Sequence, residues 1–432
     1  MRALHIFPFF AADLTNGAAH YQLVLSQRLA ACGVDVEVWT TRTRELQASA
    51  AFGLQWPDAD DLPAREQVAG LPVRRFPASL SPSVRVGRMI SQAVLNRWER
   101  EEALRGRVLP GSRNLVDELH RRAEARPRVF DWLSLVGRGP NAPGLLANLV
   151  RHGREFDVIL CGYAPFALPW FVSHIAARMG RPCVLLPLFH PDDPYHHFAS
   201  LYRSFARADA VLTQTPYSTA LLGQWLPAAR PVEIGVGVDL PSWRSEAIDG
   251  ARFRRRHGLE GKRIVLLVGR KEPAKRWQVA VEAVDRLDDD QVVLVMIGAD
   301  ADGVPIESKR VRYLGKVDAD ELRDAYDACD VLVHPSAHES FGFVFLEAWM
   351  RGRPVIGNRL CGPVSTVISE GEDGYLAAGA GEFAEKIRAL LDDAERAAAF
   401  GAAGRHKAET RYDWDVIAAR VATLYEELAA RS

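Results

Sequence analysis

Short, uninterrupted apolar runs alternate with helix-periodic segments along most of the chain. "ALHIFPF" precedes "AAHYQLVLSQRLAACG", a helical pattern that Gly33 stops, and "VDVEVWTT" follows as a strand. "FDVILCGY", "PCVLLPL" and "ADAVLTQT" carry the alternation to about residue 235. A second series then starts, with "RIVLLVGR", "QVVLVMIG", "VRYLGKV", "DVLVHPS" and "RPVIGN" as strands. "WQVAVEAVDRL", "ADELRDAYDAC" and "VFLEAWMRG" are the helices between them. Strands that are apolar throughout are buried on both faces, so the alternation predicts parallel sheets covered by helices on each side. Two such series predict an α/β protein of two doubly wound, Rossmann-like domains facing a central cleft. The join falls near "VEIGVGVDLPSW", where Gly235, Gly237 and Pro241 cluster, which sets the domains at 1–236 and 237–411. A last helix over about 412–432 is expected to pack back on the first domain.

The length agrees, since 432 residues exceed one ordinary core and suit two domains of about 200 residues. A net charge of -1 removes any overall pull toward nucleic acid, and no nucleic-acid partner is expected. Cys32, Cys161, Cys183, Cys329 and Cys361 lie far apart with no zinc-finger spacing, the pattern of small buried hydrophobes in a reducing compartment. A cytoplasmic protein is the expectation. Two segments imitate membrane signals. The N-terminal "MRALHIFPFFAA" is interrupted by Pro8 and followed by Asp13, and reads as a first strand. From Val158 to Ala177 there is no charged residue, but Gly162, Pro165 and Pro169 break the run into a strand and a loop.

Residues 71–155 differ in charge, with sixteen arginines, no lysine and eight acidic residues. The helical pieces "RMISQAVLNRWEREEALRGR" and "NLVDELHRRAEAR" form an insert over about 80–150, beyond what strand–helix alternation needs. A solvated helical face accounts for it. The alternative is a basic collar for a phosphate-bearing or membrane-surface acceptor, which would add a peripheral contact at the inner membrane face.

The richest chemistry lies in "HPSAHESFGFVFLEAWMRGRPVIG", from His334 to Gly357. A loop at the carboxyl end of a parallel strand is where doubly wound folds bind ligands. Ser340–Phe343 form that loop, and a helix is expected from about Val344 to Arg351, closed by Gly352 and Pro354. Its free N–H groups suit a phosphate, and Gly342 lets backbone amides approach it. Glu347, in the first turns, is within reach of hydroxyls beside that phosphate, and Glu339 faces the other side. Ionised carboxylates accept two O–H bonds each, so a phosphate flanked by them describes a nucleotide sugar. Upstream, "RIVLLVGRKEPAKRW" sets Arg270 and Lys275 beyond a strand end, where two cations can neutralise a diphosphate.

The chain resembles the GT-B fold glycosyltransferases of the large retaining family four. The resemblance rests on "NGAAHYQLVLSQRLAACGVDVEVWT", "FHPDDPY", "VGVD", "VGRKEPAKRW", "VMIGAD", "YLGKV", "ESFGFVFLE" and "YDWDVIAARVATLYEEL", which follow the family's order over nearly the whole chain. It implies an acceptor-binding first domain and a nucleotide-sugar-binding second domain. Glu339 would hold hydroxyls of the transferred sugar with the amides of Phe341, Gly342 and Phe343. Glu347 would hold the ribose, and Val344 would give its amide to a phosphate. Arg270 and Lys275 would stabilise the leaving diphosphate, and backbone around Lys316 and Val317 would meet the base. His190 matches the family's cleft histidine, near the sugar and the acceptor, and Gly17 would contact the diphosphate from the first domain. Two stretches depart from the family pattern: Asn16-Gly17-Ala18-Ala19 in place of paired glycines, and "RLCGPVSTVI" after Asn358.

The expected reaction is transfer from a nucleoside-diphosphate sugar to a hydroxyl acceptor with retention. No carboxylate is evident for the opposite sugar face, which favours front-side displacement over a covalent intermediate. No cofactor or metal is expected. The His190 loop carries Asp192, Asp193, His196 and His197, but their spacing fits no zinc framework. An Asp-x-Asp occurs at Asp58–Asp60, Asp300–Asp302 and Asp318–Asp320, too often to mark a metal site. A nicotinamide-dependent dehydrogenase would need a G-x-G-x-x-G between strand and helix, which "GVGVDLPSW" lacks. A catalytically silent nucleotide-sugar-binding partner subunit is the alternative reading.

Overall fold

The structure, a computed structural model, describes residues 1–12, 17–43, 62–78, 89, 93 and 113–431. Asn16, Asp58–Asp60 and, apart from residues 89 and 93, the expected helical piece at 88–107 lie outside them. The chain divides into two compact units. One is built from the chain through Val236 together with Trp414–Ala429, and the other runs from Gly237 to Asp413.

The first unit holds an eight-stranded sheet in the order β3-β4-β2-β1-β5-β6-β7-β8, the last strand being Pro231–Glu233. Its middle strands β1 (Arg2–Ile6), β5 (Val158–Gly162), β6 (Cys183–Leu186) and β7 (Ala210–Thr213) pair in parallel. All five residues of β5 and all four of β6 and β7 are buried, as two-sided covering requires. Helices Leu168–Met179 and Ala199–Arg207 supply Val172, Leu201 and Phe205 to the core over these strands.

One edge differs from the simple alternation. Beside β2 (Asp35–Thr41), β4 (Leu71–Phe76) pairs in parallel and β3 (Arg65–Val68) closes the edge antiparallel to it. Ala69 at φ 52° and Gly70 at φ 84° form the two-residue turn between them, the left-handed pair that a tight hairpin demands. The described end of the arginine-rich stretch is not a solvated face throughout. Its helix Arg113–Glu124 buries Leu115, Val116, Leu119 and Ala123 while Glu118 pairs with Arg121 and Arg122 outside.

Helix Trp414–Ala429 covers the first unit. Trp414 meets Tyr21 of α1 (Gly17–Ala31) edge-on at 5.0 Å, and Asp415 accepts from Arg28 at 2.9 Å. Burial pushes the His5 imidazole down to about 3, so it is neutral. Its Nδ1 bonds Ser26 Oγ at 2.8 Å, and Tyr425 Oη meets its Nε2 at 3.2 Å.

The second unit holds a six-stranded parallel sheet in the order β11-β10-β9-β12-β13-β14, with β10 at Val292–Ile297 and β14 at Gly374–Ala377. Strands β9 (Arg263–Val268) and β12 (Val331–His334) are neighbours, and the chain winds outward from them in opposite directions. The crevice at their carboxyl ends is the switch point where ligands bind in such sheets.

Candidate functional site

Adjacency of β9 and β12 brings together two segments far apart in sequence. The chain leaves β9 through Gly269 and Arg270 into the turn Pro273–Lys275, and leaves β12 through His334 into the loop before helix Phe343–Met350. Ala337 N–H donates to Ala274 O at 2.9 Å and ties the two loops together. Asn358, at the end of β13 (Val355–Asn358), donates to Ser336 O at 3.0 Å from below.

Lys275 Nζ lies 2.5 Å from Glu339 Oε1, and His334 Nε2 lies 2.7 Å from the same oxygen. Glu339 is 7% exposed and His334 3% exposed. Burial alone would raise the Glu339 carboxyl, but the Lys275 charge and His334 outweigh it and hold it well below the ordinary carboxylate range. Glu339 is therefore ionised, and rather than facing away from the loop it is drawn inward. Both donors land on Oε1, which leaves Oε2 without a protein partner among the described residues. The Lys275 ammonium keeps two of its three N–H donors.

The helix starts one residue earlier than expected and spans Phe343–Met350, with Gly342 at its cap offering no side-chain acceptor. Gly342 sits at φ 100°, and a Cβ there would come within 2.6 Å of the Phe345 ring. Only glycine suits that backbone, which turns the Phe343 and Val344 amides to the strand ends. Phe341 is fully buried and meets Tyr412 edge-on at 5.1 Å.

Glu347, partly buried, accepts the Tyr326 hydroxyl from helix Ala319–Ala328. Burial raises its carboxyl, against the Tyr326 hydrogen bond and the Arg323 charge. Arg270 is not joined to the Lys275–Glu339 pair. Its guanidinium is more than half exposed and pairs with Glu272 at 3.0 Å. Lys316 and Val317 follow β11 (Val311–Gly315), two strands out from β9, just before Asp318 caps the helix Ala319–Ala328.

His190 and Gly17 belong to the first unit. Gly17 opens α1. His190 follows β6, and its backbone N–H donates to His196 Nδ1 at 3.2 Å. The loop beyond it is rigidly braced. His197 Nε2 lies 2.7 Å from Pro191 O and its Nδ1 2.6 Å from Tyr202 Oη, and burial pushes this imidazole down to about 3. Arg138, 2% exposed, donates to Tyr195 O at 2.6 Å with its guanidinium 4.1 Å from both the Tyr195 and Phe198 ring centres.

Among the described residues no group of three His, Cys, Asp or Glu side chains is arranged to hold a metal ion. The Asp-x-Asp stretches at Asp300–Asp302 and Asp318–Asp320 have structural partners. Asp300 and Asp302 bind the buried Lys271, and Asp302 also accepts from Trp277 at 2.8 Å. Asp318 accepts from Glu321 N at 2.8 Å, and Asp320 pairs with Arg323 at 2.9 Å. No described helix is long and apolar enough to cross a membrane.

Sequence reasoning missed His334, Tyr326 and Arg138. The first is a polar residue closing an apolar strand, a signal present in "DVLVHPS". Tyr326 and Arg138 carry no local signal, because their partners are 21 and 57 residues away.

Known proteins resemble this chain in sequence and in fold. Residues 249–407 match the family model described as Glycosyl transferases group 1. D-inositol 3-phosphate glycosyltransferase 2 of Catenulispora acidiphila is 33% identical over 243 residues, covering 50% of this chain and 56% of that relative. A phosphatidyl-myo-inositol mannosyltransferase of Mycobacterium tuberculosis is 33% identical over 214 residues, 46% of this chain and 54% of the relative. The chain thus spans about half the length of the curated relatives it matches. Among solved structures, the Anabaena protein HepE in complex with UDP and glucose superposes with a TM-score of 0.65 at 16% identity, over 99% of this chain and 100% of that one. Sucrose-phosphate synthase from Thermosynechococcus elongatus gives 0.66 at 19% identity over the full length of both. The chain has the GT-B fold, and its residues 249–407 match the glycosyl transferases group 1 model.

Proposed function

We propose that the protein transfers a sugar from a nucleoside-diphosphate sugar to a hydroxyl acceptor, with retention of configuration and without a metal ion. The observation that carries this reading is the buried Lys275–Glu339–His334 cluster at the β9–β12 switch point, beside the uncapped start of helix Phe343–Met350. Glu339 Oε2 is the acceptor for a sugar hydroxyl. The free Lys275 donors, Arg270 and the Phe343 and Val344 amides meet the diphosphate. Glu347 takes the ribose hydroxyls, and the Lys316–Val317 backbone meets the base.

Cleavage of the bond between sugar and diphosphate develops negative charge on the leaving oxygen. A fixed ammonium and helix amides aimed at that oxygen stabilise the transition state more than the ground state. Front-side displacement then moves the acceptor's proton to the departing diphosphate, with His190 positioning sugar or acceptor. The names of the relatives, which act on inositol phosphate and on phosphatidyl-inositol, make phosphorylated inositols the first acceptors to try.

The test is nucleotide release from UDP-, GDP-, ADP- and dTDP-sugars, with Glu339→Ala and Lys275→Ala beside the wild type. Release from one donor, lost in both variants, supports the reading and identifies the donor. Binding of free diphosphates without turnover on any acceptor would replace it with the silent-binder reading. Activity abolished by a chelator and restored by one cation would overturn metal independence.

A further inference from the structure

Away from the candidate site, the first unit exposes three apolar side chains close together on one helix. Val129, Phe130 and Trp132, on helix Arg128–Gly137, are 60%, 45% and 43% exposed. Trp132 meets Trp170 at 5.0 Å and Phe171 at 6.1 Å between ring centres, and Trp170 meets Phe171 at 5.0 Å. Helices Arg128–Gly137 and Leu168–Met179 therefore share one aromatic patch. Single exposed apolar residues are ordinary, but contiguous aromatic ones mark a contact surface.

The exposed charge on the helices that carry the patch has one sign. Arg128, Arg178, Arg203 and Arg207, on those helices and on Ala199–Arg207, are all exposed. Arg178, Arg203 and Arg207 all act electrostatically on His174, whose ring stacks on Trp170 at 4.0 Å. Asp131 is the sole acid within the three helices. It is 1% exposed, with its carboxylate taken by Ser200 and by Arg203 at 2.6 Å. Arg128, Arg178 and Arg207 make no ion pair among the described residues.

We propose that this face docks on a bilayer surface containing anionic phospholipid. Tryptophan and phenylalanine seat at the boundary of headgroups and acyl chains, and arginines bind the phosphates around them. A protein interface pairs charges of both signs, whereas these three helices expose arginines and bury their one acid. Of the sixteen arginines between 71 and 155, only Arg128 contributes; the other three come from later helices. The same helix ends at Arg138, which donates to Tyr195 O in the His190 loop. The docked face thus lies one ten-residue helix, about 15 Å, from that loop. Docking itself does not depend on the proposed transfer reaction.

The experiment is flotation of the full chain with vesicles of phosphatidylglycerol and phosphatidylcholine, against phosphatidylcholine alone. Binding is expected only to the anionic vesicles and to weaken with salt. Arg178→Gln and Arg207→Gln should each lower it about fivefold. Phe130→Ser with Trp132→Ser should lower it about tenfold or more, at an unchanged melting temperature. Arg255→Gln with Arg256→Gln, exposed in the second unit, should leave it unchanged. Lys275→Ala should float like the wild type, which separates docking from donor chemistry. Absent binding, equal binding to neutral vesicles, or binding indifferent to both sets of patch variants overturns the proposal. So does a wild-type dimer that Trp132→Ser disperses, since the patch would then be a subunit interface.

Discussion

Replacing Lys275 with alanine should destabilise the second unit by an amount that depends on pH. The ammonium lies 2.5 Å from Glu339 Oε1, with side-chain exposures of 19% and 10%. Removing one partner of a buried pair costs about 3–5 kcal/mol, because the other charge stays buried and unpaired. His334 still holds the same oxygen at 2.7 Å, so about 2–3 kcal/mol is the expected loss. For a domain of this size that corresponds to a fall of about 4–12 °C in melting temperature. The sign with pH follows from the Glu339 carboxyl, which is held below its ordinary range. A depressed carboxylate adds stability that is complete above the unfolded value, about 4.3, and is lost as the pH falls through the folded value. The difference between wild type and Lys275→Ala should be full at pH 7 and shrink in acid.

Thermal melts across that range, followed by circular dichroism, measure the difference directly. Adding Glu339→Gln and the double variant closes a cycle that isolates the pair, with a coupling above about 1 kcal/mol expected at pH 7. A loss under about 0.5 kcal/mol, or one that stays constant as the pH falls, would refute the coupling. In the enzymatic assay the same variant should lower kcat more than it raises the donor KM, since the charge it meets grows in the transition state.

Glu347→Ala should weaken the donor by about 1.5–3 kcal/mol, read as a donor KM about 10–150-fold higher. Gly342→Ala, at φ 100° and against the Phe345 ring, should cost about 1–3 kcal/mol of stability in thermal melts and weaken binding of a nucleoside diphosphate in calorimetry. Arg138→Gln removes a buried charged donor from Tyr195 O, at about 1.5–3 kcal/mol; acceptor KM should rise while diphosphate affinity stays constant. Nucleotide release should be unchanged by a chelator such as EDTA.

Much of this architecture is readable in the sequence because two-sided burial writes itself as uninterrupted apolar runs. "VILC", "VLLP" and "IVLLV" need no partner to be recognised as inner strands of parallel sheets. The edge hairpin is different. "REQV" and "LPVRRF" lack the apolar signature because charges interrupt them, among them Arg75, which is buried and pairs with Glu66 at 2.5 Å, and only Ala69-Gly70 marks the turn.

The site divides the same way. Lys275, Glu339 and Glu347 stand out from the sequence because polar groups placed beside apolar runs ask for a reason. What the sequence leaves open is which of them meet. Lys275 and Glu339 are 64 residues apart, and they touch only because β9 and β12 are neighbours at the point where the winding reverses. That adjacency also explains the unequal fates of the two cations. Arg270 leaves β9 directly and pairs locally with Glu272, whereas Lys275 returns through a turn to the strand end. One is an exposed, screened pair and the other a buried one, so the structure ranks Lys275 above Arg270 as the cation whose removal should be felt in both folding and turnover.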